Sequence, residues 1–106
     1  MKGLLVFIIL ASFSCTAGTL ADFFKKHPDL DENFPVHVAI SKASRFEAAG
    51  FARREGGDEK HLMETQGDKF ALLGFRRVKT ACGYEESAKV LGLTKDDCQL
   101  VLKKDI

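Results

Sequence analysis

With 106 residues, 29% of them charged and 16 basic side chains against 15 acidic ones, the chain has room for one domain and almost no net charge. Nucleic-acid binders and membrane-lytic polypeptides carry a clear positive excess that draws phosphate or anionic lipid, and this composition lacks it. Three cysteines and no tryptophan complete the inventory that bears on class.

The N-terminus reads Met1-Lys2-Gly3, then an apolar run from Leu4 to Ala11, then the small residues Ser12, Ser14, Thr16 and Ala17. A positive start, a short apolar stretch and a small-residue exit make a secretory signal peptide. The run is about half of the roughly 20 apolar residues that a membrane span needs. Cleavage after Ala17 or after Ala21 satisfies the pattern, and Asp22 opening a plainly soluble sequence favours the second. The competing readings are a short membrane anchor and a lipoprotein linkage through Cys15, whose preceding Ser12-Phe13-Ser14 fits that signal poorly. The organisation read here is therefore a signal peptide over 1–21 and a single secreted domain over 22–106. Lys2 is the one basic residue removed, so the remainder carries 15 charges of each sign.

A domain of that size buries a modest core and gains from a covalent tie. Cys82 and Cys98 are the pair left after cleavage, and in an exported protein an even pair reads as one disulfide.

Along the mature chain, Pro28 and Pro35 break up the first segment, and Phe23-Phe24 start a short helix or strand packed on the rest. From Phe34 to Arg54, Val36, Ala39, Ile40, Ala43, Phe46 and Gly50 recur at three- and four-residue steps, which predicts a helix. Asn33 suits its N-cap, Pro35 its first turn, Arg53-Arg54 its C-terminal dipole end, and Gly56-Gly57 its stop. The second half alternates and reads as strands: His61–Thr65, a turn at Gln66-Gly67-Asp68, Phe70–Ala81 with a bend at Gly74, and Cys98–Leu102. Glu85 to Leu91 forms one or two helical turns ended by Gly92. The expected fold class is α+β, one helix packed on a small antiparallel sheet, with one disulfide.

No catalytic constellation emerges. His27, His37 and His61 are too scattered to hold a metal, no nucleophile has a recognisable base, and no glycine-rich loop opens a helix, so neither enzyme activity nor a cofactor is expected. Arg76, Arg77 and Lys79 form a basic cluster in which Arg77 and Lys79 would share a strand face. That cluster is a small anion-binding patch or, more simply, a solvated strand end that resists edge pairing.

The segment Phe75-Arg76-Arg77-Val78-Lys79-Thr80-Ala81-Cys82 reads F-x-x-x-x-T-x-C. It resembles the strand ending of extracellular members of the cystatin superfamily, namely cathelicidin prodomains, chemerin-like proteins and secreted phosphoproteins. The resemblance implies a cystatin-like sheet and makes Cys98 the partner of Cys82. Inhibitory cystatins carry a Q-x-V-x-G hairpin and a P-W loop. The corresponding stretch here, Met63-Glu64-Thr65-Gln66-Gly67, keeps only the glycine, and there is no tryptophan. The functional expectation is a secreted, non-catalytic binding or effector protein with a host-defence character. Its surface candidates are Met63, Thr65, Gln66, Gly67, Arg76, Arg77 and Lys79, and its partner is an extracellular protein. Nucleic acid is not expected and membrane contact is not favoured. The alternatives are a cysteine-protease inhibitor with a divergent hairpin, and a membrane- or microbe-active polypeptide using Phe23, Phe24, Lys25 and Lys26.

Overall fold

Two long helices running side by side organise the chain. The computed structural model describes residues 18–106, so most of the expected export segment 1–21, Cys15 included, lies outside the described residues. The elements are α1 (Leu20–Lys26), α2 (Pro28–Glu32), α3 (Phe34–Glu55), α4 (Glu59–Ala81), α5 (Glu85–Val90) and α6 (Lys95–Lys103). No strand occurs among the described residues, which overturns the α+β expectation and with it the cystatin-like sheet.

Helix α3 is the element that the periodicity anticipated. Gly56 ends it in the left-handed region (φ 77°), donating its N–H to the Ala52 carbonyl at 2.8 Å. Val36, Ala39, Ile40, Ala43 and Gly50 face inward as expected, but Phe46 is exposed, and the buried stripe runs on through Ser44 and Ala48. Asn33 sits at the N-cap without capping the helix backbone.

The expected strands 61–65 and 70–81 are together helix α4. The buried positions Gly67, Phe70, Ala71, Gly74, Phe75 and Val78 step by three and four, as a helix demands. The run Phe70-Ala71-Leu72-Leu73-Gly74-Phe75 is apolar enough to satisfy a period of two as well, which is why local patterning misreads it. The expected turn at Gln66-Gly67-Asp68 becomes an interruption inside α4, where Gln66 takes non-helical angles (φ −132°, ψ 30°). The expected strand 98–102 belongs to α6, whose start is written as Thr94-Lys95-Asp96-Asp97. Asp97 N–H donates to the Thr94 hydroxyl at 3.1 Å and Thr94 N–H donates to Asp97 at 2.8 Å, a capping box. Thr19 and Asp22 make the same box for α1.

The three-residue link 56–58 holds α3 and α4 antiparallel and adjacent. They approach most closely where Gly74 faces Ser44. A β-carbon on Gly74 would stand 2.7 Å from the Ser44 backbone nitrogen and 2.9 Å from the Ile40 carbonyl oxygen. Ser44 is fully buried and spends its hydroxyl on that Ile40 carbonyl at 2.6 Å, so the small residue leaves no orphaned polar group. Around this crossing one core joins Phe23 and Phe24 of α1, Leu30 of α2, Ile40 of α3, Phe75 of α4 and Val101 of α6. Burying each such side chain contributes about 1.5–3 kcal/mol. A smaller cluster of Ala48, Leu62 and Phe70, with Phe51 edge-on to Phe70 at 5.8 Å, packs nearer the 56–58 link.

Asp97 ties α6 to the start of α3. Burial would raise its carboxyl, but hydrogen bonds from the Thr94 backbone, the Asn33 side chain and the Thr94 hydroxyl outweigh burial and hold it below the usual aspartate value. Its contribution to stability is therefore complete above the unfolded value of about 3.9 and is lost as pH falls through the folded one.

Two measurements check these packing statements. Gly74→Ala gains about 1 kcal/mol of helix preference yet loses more to overpacking, so urea denaturation should show a net loss of about 2 kcal/mol. Asp97→Asn should lower stability by about 1 kcal/mol at neutral pH. The gap to the parent should begin to narrow as pH falls below the unfolded value of about 3.9 and close only below the lowered folded value, where the parent carboxyl is itself protonated. A pH-independent difference would contradict the Asp97 assignment.

Candidate interaction surface

Cys82, the C-cap of α4, is bonded to Cys98 of α6 across 5.4 Å between Cα atoms. The disulfide expected from the sequence is present, and it brackets α5. A six-residue helix has no stability of its own in water. Here α5 is held by the bond and by Ala88 and Leu93, both buried in the core. Gly92, at φ 76°, turns the chain from α5 toward α6.

Pinned in this way, α5 lies beside the C-terminal half of α4 and forms one outer face with the middle of α3. Tyr84, at the N-cap of α5, is 67% exposed, Val90 85% and Phe46 58%. A shallow groove lined by Glu47, Leu73, Arg76, Arg77, Thr80 and Tyr84 adjoins a second one that contains Ala43, Arg77, Ala81, Val90 and Leu91. Arg77 is common to both. Its Nε donates to the Glu47 carboxylate at 2.6 Å, and its guanidinium carbon lies 4.8 Å from the centre of the Phe46 ring. The ion pair and the cation–π contact fix the arginine as a flat, half-exposed plate between two apolar patches. Aromatic, aliphatic and guanidinium groups held in one place are the materials of a contact surface.

The seven residues singled out in the sequence do not converge. Met63 is half-buried against the Leu62–Phe70 cluster. Thr65 returns its hydroxyl to the His61 carbonyl at 2.9 Å, Gln66 is exposed at the interruption, and Gly67 is buried beneath the Thr19–Leu20 backbone. These residues lie within α4, so the hairpin expected at Met63–Gly67 is not formed. The basic cluster also divides. Arg76 and Arg77 are exposed, but on a helix positions two apart point nearly opposite ways, and Lys79 turns inward over the Phe75 ring. Its Nζ donates to the Lys104 carbonyl at 2.6 Å. Phe23 and Phe24 are 5% and 3% exposed, packed on the rest in a short helix as expected and not on the exposed face that the membrane-active alternative uses. His37 stacks on the Phe24 ring at 4.0 Å beside Asp31, and no group of three or more His, Cys, Asp or Glu among the described residues could hold a metal.

Sequence reasoning missed Phe46, Tyr84, Val90 and Leu91. Their signal was available: Val90-Leu91 immediately before a helix-ending glycine are large apolar residues that so short a helix cannot wholly bury. No family model, no curated protein and no solved structure matches the chain. No described helix is long and apolar enough to cross a membrane.

The disulfide closes a 16-residue separation, worth about 3 kcal/mol in the chain-entropy account. The Cys82→Ala/Cys98→Ala double variant should lose about that much by urea denaturation. Amides of α5 should lose hydrogen-exchange protection first, whereas uniform loss along the chain would show that α5 does not depend on the bond.

Proposed function

We propose that this chain is an exported, non-catalytic recognition protein that binds an extracellular protein through the face formed by α3, α4 and α5. The reading is carried by one observation: Phe46, Tyr84, Val90 and Leu91 are exposed together around an arginine already fixed by Glu47, on a helix held by the disulfide. Side chains ordered before binding give up little rotamer freedom on contact, and buried aromatic and arginine groups carry most of the energy of protein interfaces. The disulfide also suits an oxidising destination, in keeping with the N-terminal sequence.

The fold favours this reading over the two alternatives. The hairpin wedge implied by the cystatin resemblance has no counterpart here: the stretch that would supply it is helical, and its Gly67 lies beneath the Thr19–Leu20 backbone. Membrane action through Phe23 and Phe24 needs both rings outside the core, where they are not.

A photoreactive group in place of Tyr84 should give a discrete adduct with one protein of the native extracellular fluid. The same group in place of Glu59, at the start of α4, should give none. Val90→Glu, at an exposed site, should leave stability within about 0.5 kcal/mol and remove the adduct. Equal labelling from positions 84 and 59, or an adduct indifferent to Val90→Glu, would discard this face.

A further inference from the structure

Residues 18–21 pack as part of the fold. The Thr19–Leu20 backbone crosses α4 at Gly67, where a β-carbon would stand 2.5 Å from the Leu20 nitrogen and 3.1 Å from the Thr19 carbonyl carbon. Gly67 is buried by this crossing, and the interruption of α4 at Gln66 adjoins it. Thr19 caps α1, and Leu20 packs against the main core. One residue earlier, the Gly18 carbonyl accepts from Asp68 N–H at 3.4 Å. The Asp68 carboxylate lies so close to Gly18 that a β-carbon there would overlap it. Of that carboxylate, Oδ1 accepts from Lys69 N–H at 2.8 Å, and Oδ2 is the oxygen nearest the position that a β-carbon on Gly18 would take.

We propose that the export signal is cleaved between Ala17 and Gly18, and that the ammonium freed on Gly18 is held by the Asp68 carboxylate. The inference rests on the exported reading above and deepens it by naming the processing site. Hydrolysis breaks the Ala17–Gly18 peptide bond, water supplying the oxygen of the Ala17 carboxylate, and the released Gly18 amine takes up a proton at neutral pH. Cys15 and Ala17 supply the small residues that a signal peptidase requires three before and one before the cut. The new positive charge arises beside a carboxylate oxygen, and the pair links the start of the mature chain to the middle of α4.

The other small-residue boundary, after Ala21, fits the fold badly. That cut removes the Thr19 cap and the Leu20 contact and uncovers Gly67. It also places the new ammonium on Asp22 in the first turn of α1, where the helix macrodipole opposes a cation.

The full chain, expressed in cells that export through a signal peptide, supplies the test. Intact mass and N-terminal sequencing of protein from the medium should begin at Gly18 with the Cys82–Cys98 bond formed. A chain beginning at Asp22 would overturn the cleavage assignment while leaving export intact. Absence from the medium, or retention of Met1, would instead remove the exported reading. Asp68→Asn should be cleaved at the same bond, and its N-terminal amine should be acylated about threefold faster at neutral pH than the parent's, as loss of a partly exposed ion pair requires. Equal acylation rates would remove the Asp68 pairing.

Discussion

The contact on which this structure depends is the near approach of two backbones at Gly74 and Ser44. A glycine on one helix and a small, internally satisfied serine on the other let α3 and α4 pack with main chain almost against main chain. That spacing sets the distance between the flanking apolar rows. Ile40, Phe75 and Val78 can then meet across the interface, and the α1 and α6 side chains close over them in one continuous core. A larger residue at either position would push the helices apart along their length, because packed interiors do not absorb an extra methyl group locally.

The short elements are stabilised by their contacts and contribute little order of their own. Helices α1, α2 and α5 have seven, five and six residues, too few for isolated stability. Phe23 and Phe24 hold α1, Leu30 holds α2, and the disulfide with Ala88 holds α5. Capping boxes at Thr19 and Thr94 satisfy the first amides of α1 and α6 and aim both helices at the core. The Asn33 side chain at the start of α3 also favours the Asp97 carboxylate, so the starts of α3 and α6 lie together.

The outer face arises from the same arrangement. Because α5 is too short to bury both of its sides, fixing Ala88 inward leaves Val90 outward. Phe46 is turned out because the buried stripe of α3 shifts to Ser44 and Ala48 to meet α4. Arg77 bridges these apolar positions and is itself immobilised by Glu47. The candidate surface is thus a by-product of how the core is closed, and a covalent bond keeps it in shape.

Helix α3 was legible in its span and in most of its buried stripe, since a 3.6-residue period, a glycine stop and basic residues at its C-terminal end agreed there, although Phe46 turns outward and Asn33 does not cap it. The pairing of Cys82 with Cys98 was legible by count, and Glu85–Leu91 by its glycine end. The capping boxes Thr19–Asp22 and Thr94–Asp97 were written in the sequence, but they gain meaning only if the residues C-terminal to each threonine are helical and not extended. That distinction was not local. In Phe70–Phe75 nearly every residue is apolar, so periods of two and of 3.6 fit equally, and the choice falls to whichever partner can bury the run. Tertiary packing decided it: α3 presents a narrow row of small residues, which accepts a helix bearing Gly74 at the crossing. Local pattern alone therefore set one long helix, its ends and the covalent tie. The nature of the second half, and which apolar side chains remain at the surface, were settled by three-dimensional contact between distant segments, because burial depends on partners that no short stretch of chain contains.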